Sequence, residues 1–271
     1  MSEIHPTAIV HDGAEIDSDV SIGPYCIIGG NVKIRRGVRL MNNVVIDGDA
    51  EIGEACTVYP FTTIGLPPQD VKYGGEPTGV RIGSRNIIRE YISIHRGSVG
   101  GDGYTVIGDD NFLMAYVHIA HDCSVGNKTV MANAVTLAGH VKVEDCAVIG
   151  GIVAVHQFNR IGAYAMVGGF SGVTQDVPPY TVASALGSRL RLYGLNTVGL
   201  KRHGFSQETL SELKRAYQIL FREGLPLKEA LKKVQEELPY TDEIAHLVEF
   251  INANTRGICR PGGKSRGRGA S

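Results

Sequence analysis

Aliphatic side chains recur at every sixth position along most of this chain. The longest unbroken series consists of Ile107, Leu113, Ile119, Val125, Met131, Leu137, Val143, Ile149, Val155, Ile161, Val167 and Val173. Strict sixes fit neither the 3.6-residue period of a helix nor the alternation of a half-buried strand. The pattern predicts a hexapeptide solenoid, in which each unit is one short strand plus a corner and three units close one triangular coil.

The same frame runs from position 4 to position 64 and again from 82 to 94. Gly or Ala often follows the aliphatic residue, as at Gly126 and Ala138, which indicates bending or tight packing at the corners. Two segments rich in Gly and Pro, residues 65–81 and 96–106, interrupt the sixes and predict loops that leave the solenoid. Such loops on a rigid scaffold often carry binding residues.

The sixes stop near Pro178, and the pattern changes to helical spacing. Ser206 is the predicted N-cap of a helix that stops at Gly224, and further helices are predicted from Leu227 to Leu238 and, with Asp242 as cap, to about Asn254. The predicted domains are therefore a parallel β-helix over 1–185 and a connector with a small helical domain over 186–260. Residues 261–271 are predicted to be a disordered tail.

Composition excludes several classes of function. A formal charge of −1 and a pI near 6.8 argue against a globally basic nucleic-acid surface. The five cysteines form no C-x-x-C pair and are interpreted as small buried residues. The amino terminus has no signal-peptide pattern and no segment approaches eighteen apolar residues, so we expect a cytoplasmic protein without stable membrane insertion.

Histidines cluster in the central repeat, at His118, His121, His140 and His156. Residues 18 apart lie one above the other in successive coils of such a solenoid, so His121 is predicted to lie beneath Gly139. By the same rule Asp122 lies beneath His140. An imidazole can act as a general base at neutral pH, with a carboxylate fixing its tautomer. An unshielded glycine N–H can donate to an oxyanion.

Two other interpretations of the cluster remain open. Corner histidines can simply face water or form structural hydrogen bonds. Three neutral imidazoles could also hold Zn²⁺, but that site would leave Asp122, Gly139 and the two loops without a role. The sequence therefore predicts no metal.

Seven segments form a combination of motifs: Val117-His-Ile-Ala-His-Asp-Cys123, Leu137-Ala-Gly-His140, Val155-His-Gln-Phe158, Gly168-Gly-Phe-Ser-Gly-Val173, Gln175-Asp-Val-Pro-Pro-Tyr180, Gln69-Asp-Val-Lys-Tyr73 and Gly199-Leu-Lys-Arg202. Together they resemble one family, the acyl carrier protein–UDP-N-acetylglucosamine O-acyltransferases that begin lipid A synthesis. The resemblance covers residues 4 to about 260. It implies a left-handed parallel β-helix that assembles as a homotrimer, with each site between neighbouring prisms and basic residues near the helical domain receiving the acidic acyl carrier protein.

The resemblance also implies a reaction and its residues. A 3-hydroxyacyl chain passes from acyl carrier protein to the 3-hydroxyl of UDP-N-acetylglucosamine, with no cofactor beyond the phosphopantetheine that carries it. His121 would be the base, Asp122 would orient it, and the Gly139 N–H would hold the oxyanion. The residues implied in substrate binding are Asp70, Lys72, His95, His118, His140, His156, Gln157, Asn196 and Arg202, with Gly169 beside the acyl groove.

The chain departs from the best-known members at His203, where they have Arg, and at Val198, where they have an acid. Arg189 and Arg191 either compensate or form a solvated face. The alternatives are a related transferase that uses coenzyme A or acylates an amine, and, in another class, a zinc hydratase or a purely structural solenoid. The related N-acyltransferase has an extra amino-terminal domain, whereas the repeat here begins at residue 4. Acyl-chain length and the choice between a hydroxyl and an amine acceptor are left open by the sequence.

Overall fold

The computed structural model describes residues 2–185 and 189–262. Three sheets, here called A, B and C, form the walls of a triangular prism, and the chain visits them in turn. All strand pairs are parallel except β27 with β28, which is antiparallel. The predicted fold, a left-handed parallel β-helix with a small α-helical region after it, is confirmed by this architecture and by the structural relatives described below.

Most strands are only two residues long. Sheet A contains, in spatial order, β1 (Glu3–Ile4), β4 (Ser21–Ile22), β7 (Arg39–Leu40), β10 (Thr57–Val58), β13 (Ile87–Ile88), β16 (Phe112–Leu113), β19 (Val130–Met131), β22 (Val148–Ile149), β25 (Met166–Val167), β27 (Thr181–Ala185) and β28 (Leu190–Leu195). Sheet B contains β2 (Ile9–Val10), β5 (Ile27–Ile28), β8 (Val45–Ile46), β11 (Thr63–Leu66), β14 (Ser93–His95), β17 (His118–Ile119), β20 (Thr136–Leu137), β23 (Ala154–Val155) and β26 (Gly172–Val173). Sheet C contains β3 (Glu15–Ile16), β6 (Val32–Ile34), β9 (Asp49–Ile52), β12 (Gly79–Ile82), β15 (Tyr104–Ile107), β18 (Ser124–Val125), β21 (Lys142–Val143) and β24 (Arg160–Ile161).

The register of these strands is the 18-residue lap predicted from the sequence. His118 pairs with Thr136, and Thr136 pairs with Ala154. Three edges join the walls, and each is named by the sheets it joins. Edge BC includes residues 120–123, 138–141 and 156–159, edge CA includes 162–165, and edge AB includes 114–117, 132–135, 150–153 and 168–171.

The in-frame aliphatic residues fill the prism. Ile46, Ile94 and Leu137 are fully buried, as are most of their counterparts in the other coils. The first in-frame residue, Ile4, is 43 % exposed because its coil forms the open end of the prism and no further coil covers it. Burial of the remaining column supplies the main stabilisation of the solenoid.

The small residues after the aliphatic positions serve packing rather than bending. A side chain at Gly150 would collide with the backbone of Gly169 in the next coil. The backbone turns two residues later, where positive φ recurs on residues that are not glycine, such as Asp122 (59°), His140 (61°) and Phe158 (65°). This left-handed conformation is unfavourable for such residues, so the surrounding coils must hold it.

Both loops leave the prism at edge BC. The first spans 67–78 and the second 96–103, each shorter than predicted because β11, β12 and β15 include residues assigned to the loops. Since β11 and β14 belong to sheet B while β12 and β15 belong to sheet C, each loop replaces an edge BC corner. The loops therefore sit in the two coils directly below the corner that holds His121.

The outer faces of the three sheets differ in character. Sheet C presents a column of charged residues, Glu15, Lys33, Glu51 and Arg81. The upper coils of sheet A present an apolar column, Ile87, Phe112, Val130, Val148 and Met166, whereas its lower coils present Ser21, Arg39 and Thr57. Sheet B presents side chains that shrink along the prism, His118, Thr136, Ala154 and Gly172. The upper coils of faces A and B therefore differ from an ordinary solvated surface.

The segment after the prism differs from the connector predicted there. Strands β27 and β28 pair antiparallel, Leu190 and Leu192 on β28 extend the core, and four helices follow. They are α1 (Thr197–Arg202), α2 (Gln207–Phe221), α3 (Leu227–Glu237) and α4 (Asp242–Asn252). The Ser206 hydroxyl caps α2 by accepting from the Thr209 N–H, as predicted, whereas the N-cap of α4 is Thr241 rather than Asp242. Of the predicted tail, Pro261 pairs with Leu192, and 263–271 lie outside the described residues. No helix in the described ranges is long and apolar enough to cross a membrane.

A buried ion pair fastens the helices to the last coil. The Asp176 carboxylate is 1 % exposed and accepts from the Arg160 guanidinium at 2.7 Å. The same guanidinium donates to the Phe250 carbonyl at 2.7 Å and stacks over the Phe250 ring. The backbone of Asp176 also pairs with Ile258. Asp176 therefore joins the prism to helix α4, through Arg160, and to the carboxyl-terminal segment, through its backbone.

We expect Asp176→Asn to lower the free energy of unfolding by about 3 kcal/mol, because it leaves the Arg160 charge buried without its partner. Urea unfolding measures the change. Glu54→Gln is the control, since the Arg36–Glu54 pair is 3.4 Å long and largely exposed and should contribute within about 0.5 kcal/mol. Equal effects of the two substitutions would contradict this role of Asp176.

Candidate active site

His121 and Asp122 form a pair at edge BC. The His121 Nδ1 lies 2.7 Å from Asp122 Oδ2, and the two side chains are 15 % and 3 % exposed. Because a carboxylate can only accept, Nδ1 carries the proton and Nε2 is left with a free lone pair. This is the tautomer that a general base requires.

The free side of the His121 ring lies against Gly139. A Cβ at Gly139 would meet His121 Cε1 at 2.6 Å and Nε2 at 2.7 Å, so only glycine admits the imidazole there. The stacking inferred from the 18-residue lap is thus present in the structure. Among the described residues, no acceptor takes the Gly139 N–H. A base nitrogen and an unused peptide donor therefore lie side by side.

Asp122 is held by the second loop, a contact that sequence reasoning missed. Its Oδ2 accepts from the Ser98 hydroxyl at 2.7 Å and its Oδ1 from the Ser98 N–H at 2.9 Å. The Asp122 N–H in turn donates to the buried hydroxyl of Thr105 at 2.9 Å. His140 completes the surroundings, with Nε2 3.8 Å from Asp122 Oδ2.

His95 and His118 lie beside this pair on sheet B. Their rings meet edge to face at 5.2 Å, and His118 Nδ1 lies 2.7 Å from the Ser93 hydroxyl. Burial, followed by the neighbouring His118 and His121, lowers the pKa of His95 from 6.5 to about 4. Burial also lowers the pKa of His118. Within the described ranges His95 Nδ1 is buried without a hydrogen-bond partner.

The upper part of edge BC carries further predicted site residues. His140 stacks on Phe158 at 4.5 Å, and Gln157 is exposed one coil above Gly139. His156 Nδ1 lies 3.1 Å from the guanidinium of Arg256, which arrives from the carboxyl-terminal segment. Arg256 lies 100 residues away along the chain, and no sequence period connects the two.

The first loop leaves the prism next to His95, since Leu66 pairs with His95 and accepts from the Arg96 N–H. It carries Asp70 and Lys72, and the Asp70 carboxylate accepts from the Lys72 N–H at 3.0 Å. The loop thus presents both residues at the lower end of edge BC.

Three predicted site residues lie elsewhere in the chain. Gly169 is on edge AB, across sheet B from His121. Asn196 caps helix α1 by accepting from the Gly199 N–H, and its amide donates to the Tyr164 carbonyl on edge CA. Arg202 ends the same helix. One copy of the chain does not bring these residues to His121.

His121, Asp122 and His140 are also the group that could hold a metal, since their candidate ligand atoms lie within 4.8 Å of one another. The set has two imidazoles and a carboxylate rather than three imidazoles. His121 Nδ1 and Asp122 Oδ2 already share a hydrogen bond, and a cation bound at this point would have to break it. Two imidazoles and a carboxylate are a donor set that catalytic zinc also uses, but the hydrogen bond within the His121–Asp122 pair favours an acid–base role.

Comparison with known proteins finds relatives over nearly the whole chain. The family model described as UDP-N-acetylglucosamine O-acyltransferase, domain 2, matches residues 176–259, and the bacterial transferase hexapeptide model matches 31–66 and 104–139. The acyl-[acyl-carrier-protein]–UDP-N-acetylglucosamine O-acyltransferase of Thermodesulfovibrio yellowstonii is 69 % identical over 260 residues, which cover 96 % of this chain and all of that protein.

Solved structures of UDP-N-acetylglucosamine acyltransferases are also similar to this chain over nearly its full length. The UDP-N-acetylglucosamine O-acyltransferase of Moraxella catarrhalis has a TM-score of 0.91 at 43 % identity, covering 95 % of this chain and 99 % of its own. The UDP-N-acetylglucosamine acyltransferase of Campylobacter jejuni has a TM-score of 0.90 at 38 % identity, covering 96 % of this chain and all of its own. Identity at this level over nearly the full length, together with the prism and its histidine edge, places the chain in the acyl-[acyl-carrier-protein]–UDP-N-acetylglucosamine O-acyltransferase family of hexapeptide-repeat acyltransferases.

Proposed function

We propose that the chain transfers a 3-hydroxyacyl group from acyl carrier protein to the 3-hydroxyl of UDP-N-acetylglucosamine, at the start of lipid A synthesis and in the cytoplasm. The observation that carries the proposal is the contact between the free side of the His121 ring and Gly139, with Asp122 behind the ring. This arrangement supplies a base and an oxyanion donor at one point, which acyl transfer to a hydroxyl needs.

In the proposed mechanism, His121 Nε2 takes the proton of the sugar hydroxyl as its oxygen attacks the thioester carbonyl carbon. The carbonyl oxygen gains charge and accepts from the Gly139 N–H, while Asp122 stabilises the imidazolium. Collapse of the tetrahedral intermediate breaks the carbon–sulfur bond. The departing thiolate of the phosphopantetheine takes the proton back from His121, so the enzyme ends as it began and needs no cofactor of its own.

Sugar binding is assigned to the groups around this centre. His95 Nδ1 is buried and unpartnered among the described residues, which is costly unless a ligand supplies the missing hydrogen bond. Asp70 and Lys72 on the first loop, with His118, His140, His156 and Gln157, border the same edge. Arg256 joins them beside His156, and its guanidinium suits a phosphate or carboxylate oxygen.

The acyl chain is assigned to the outer face of sheet B. Thr136, Ala154 and Gly172 offer little bulk between His121 on edge BC and Gly169 on edge AB. A chain crossing this face would end at Gly169, where a Cβ would already meet the Gly151 carbonyl oxygen at 3.1 Å. A larger residue at this position would shorten the chain that the groove accepts.

Assembly into a homotrimer would complete the site. Asn196 and Arg202 lie at edge CA, whereas the histidines lie at edge BC of the same chain. In a closed ring of three prisms, edge CA of one copy lies next to edge BC of its neighbour when face A of the first meets face B of the second. Basic groups near the helices, including Arg191 on β28 and Arg189 just before it, are then assigned to the acidic carrier protein.

The surface chemistry favours this ring over other arrangements. From Ile87 upward, face A carries a column without charged residues, as face B does along its length, whereas face C is charged. The edge that faces A and B share carries exposed apolar side chains, which usually mark an interface. They are Tyr25 (63 % exposed), Phe61 (47 %), Tyr91 (47 %), Tyr116 (59 %), Ile152 (56 %) and Phe170 (78 %). Phe61, Tyr91 and Tyr116 stack in a continuous series with centroids 5.0 Å apart.

We expect His121→Ala to lower kcat at least about a hundredfold, because it removes the base. The assay follows acylated sugar nucleotide by mass spectrometry, with purified protein, 3-hydroxyacyl carrier protein and UDP-N-acetylglucosamine. His11→Ala, at an exposed imidazole on the lower part of the same edge, is the control. Near-normal turnover of the His121 variant would rule out the base role, and activity lost on metal removal would favour the metal alternative.

Mixed trimers test the shared site. His121→Ala and Arg202→Ala should each be weakly active at limiting UDP-N-acetylglucosamine. Co-expressed, they should recover activity, because every mixed trimer contains about one site with both native residues. If the co-expressed variants stay as inactive as each alone, both residues serve within a single chain and the proposed ring is wrong.

His95 should make the protein sensitive to acid. Its folded-state pKa is about 4 against an ordinary value of 6.5, so between these values the unfolded chain binds more protons than the folded one. The free energy of unfolding therefore falls as pH decreases through this window. We expect His95→Gln to flatten that decrease in urea unfolding measured from pH 7 to pH 4.5. His11→Gln is the matched substitution at an exposed imidazole, and an unchanged slope in the His95 variant would refute the assignment.

A further inference from the structure

The second loop holds the carboxylate on which the base depends. Residues 96–103 replace the corner below His121, and Ser98 on this loop is 5 % exposed. Its hydroxyl and its N–H reach both oxygens of Asp122, at 2.7 Å and 2.9 Å. We propose that Ser98 is a positioning residue for the reaction, which acts on His121 through Asp122.

The geometry of the carboxylate supports this role. Asp122 Oδ2 accepts from both the Ser98 hydroxyl and His121 Nδ1, so the two donors share one oxygen. Among the described residues, Oδ1 accepts from the Ser98 N–H alone. Hydrogen bonds to an ionised group are stronger than neutral ones, and together these fix the rotation of the carboxylate. Without the hydroxyl, the Oδ2 that aims the imidazole keeps only one of its two donors.

The loop is shaped to approach Asp122 closely. The Gly101 N–H closes a turn by donating to the Ser98 carbonyl at 3.2 Å. A Cβ at Gly101 would lie 2.5 Å from Asp122 Oδ1, so glycine is required where the turn passes the carboxylate. A Cβ at Gly100, one residue earlier, would meet only the Ser98 hydroxyl, at the ordinary distance of 3.6 Å. Of the two adjacent glycines, only Gly101 is therefore placed where an added Cβ would collide with Asp122.

This inference rests on the proposed function, because it concerns the orientation of the proposed base. It assigns Ser98 no contact with substrate. The expected signature is therefore a loss in kcat with little change in KM for UDP-N-acetylglucosamine, since orientation matters most in the transition state. A residue with a purely structural role would instead change the unfolding midpoint, or kcat and KM together.

The hydroxyl is tested by the nearly isosteric pair Ser98→Thr and Ser98→Val, which share any steric effect of the added bulk. We expect the valine variant to have a kcat at least about tenfold below that of the threonine variant, with KM within about twofold and an unchanged unfolding midpoint. Equal kcat in the two variants, or a difference confined to KM, would overturn the proposal.

The approach of the loop is tested by Gly101→Ala against Gly100→Ala. We expect the first to lower kcat about tenfold or more, because it displaces the carboxylate, and the second to keep wild-type kcat. Equal values would contradict the proposal.

The wild-type protein serves in both series as the reference. Absence of transfer by the wild type would count against the proposed function itself, whereas active wild type with indifferent Ser98 variants would count against this inference alone.

Discussion

The 18-residue lap of the coil is the constraint on which the rest of this protein depends. It is maintained by an apolar column that occupies the interior at every sixth residue, and a slip of one residue would expose that column in every coil. Because burial fixes the 18-residue lap, it also fixes which residues of successive coils lie above one another on the outer edges. A histidine meets a glycine at edge BC because the aliphatic residues two positions earlier, Ile119 and Leu137, pair inside the prism.

A rigid scaffold of this kind solves a problem that acyl transfer shares with many reactions. In the proposed mechanism a base and an oxyanion donor must be held close together before the substrate arrives. His121 and Gly139, which are proposed for these roles, belong to corners of adjacent coils, and each corner is locked by its strands. The cost appears in the backbone, since Asp122 and His140 adopt positive φ. The N–H of Asp122 is secured by Thr105, which offsets part of that strain.

The period made part of this arrangement predictable. The prism, the stacking of His121 with Gly139 and the proximity of Asp122 to His140 all follow from counting 18 residues. The count fails where a loop is inserted. Ser98 lies 24 residues before the carboxylate it binds and Arg256 lies 100 residues after the histidine it contacts, so no period connects either pair. The antiparallel pairing of β27 with β28 was missed for a related reason, because it has no counterpart in the repeat.

Asn196 illustrates a different limit. Its side chain is satisfied within one chain, as a cap for α1 and a donor to Tyr164, so its link to the histidine edge is a matter of assembly. The proposed mechanism, however, depends within a single chain on the close approach of the His121 ring to Gly139. Steady-state kinetics of Gly139→Ala measure this most directly, with Gly194→Ala as control because a Cβ there meets nothing within 4 Å. The account predicts a kcat at least about a hundredfold lower for the first and unchanged for the second; wild-type turnover of folded Gly139→Ala would contradict it.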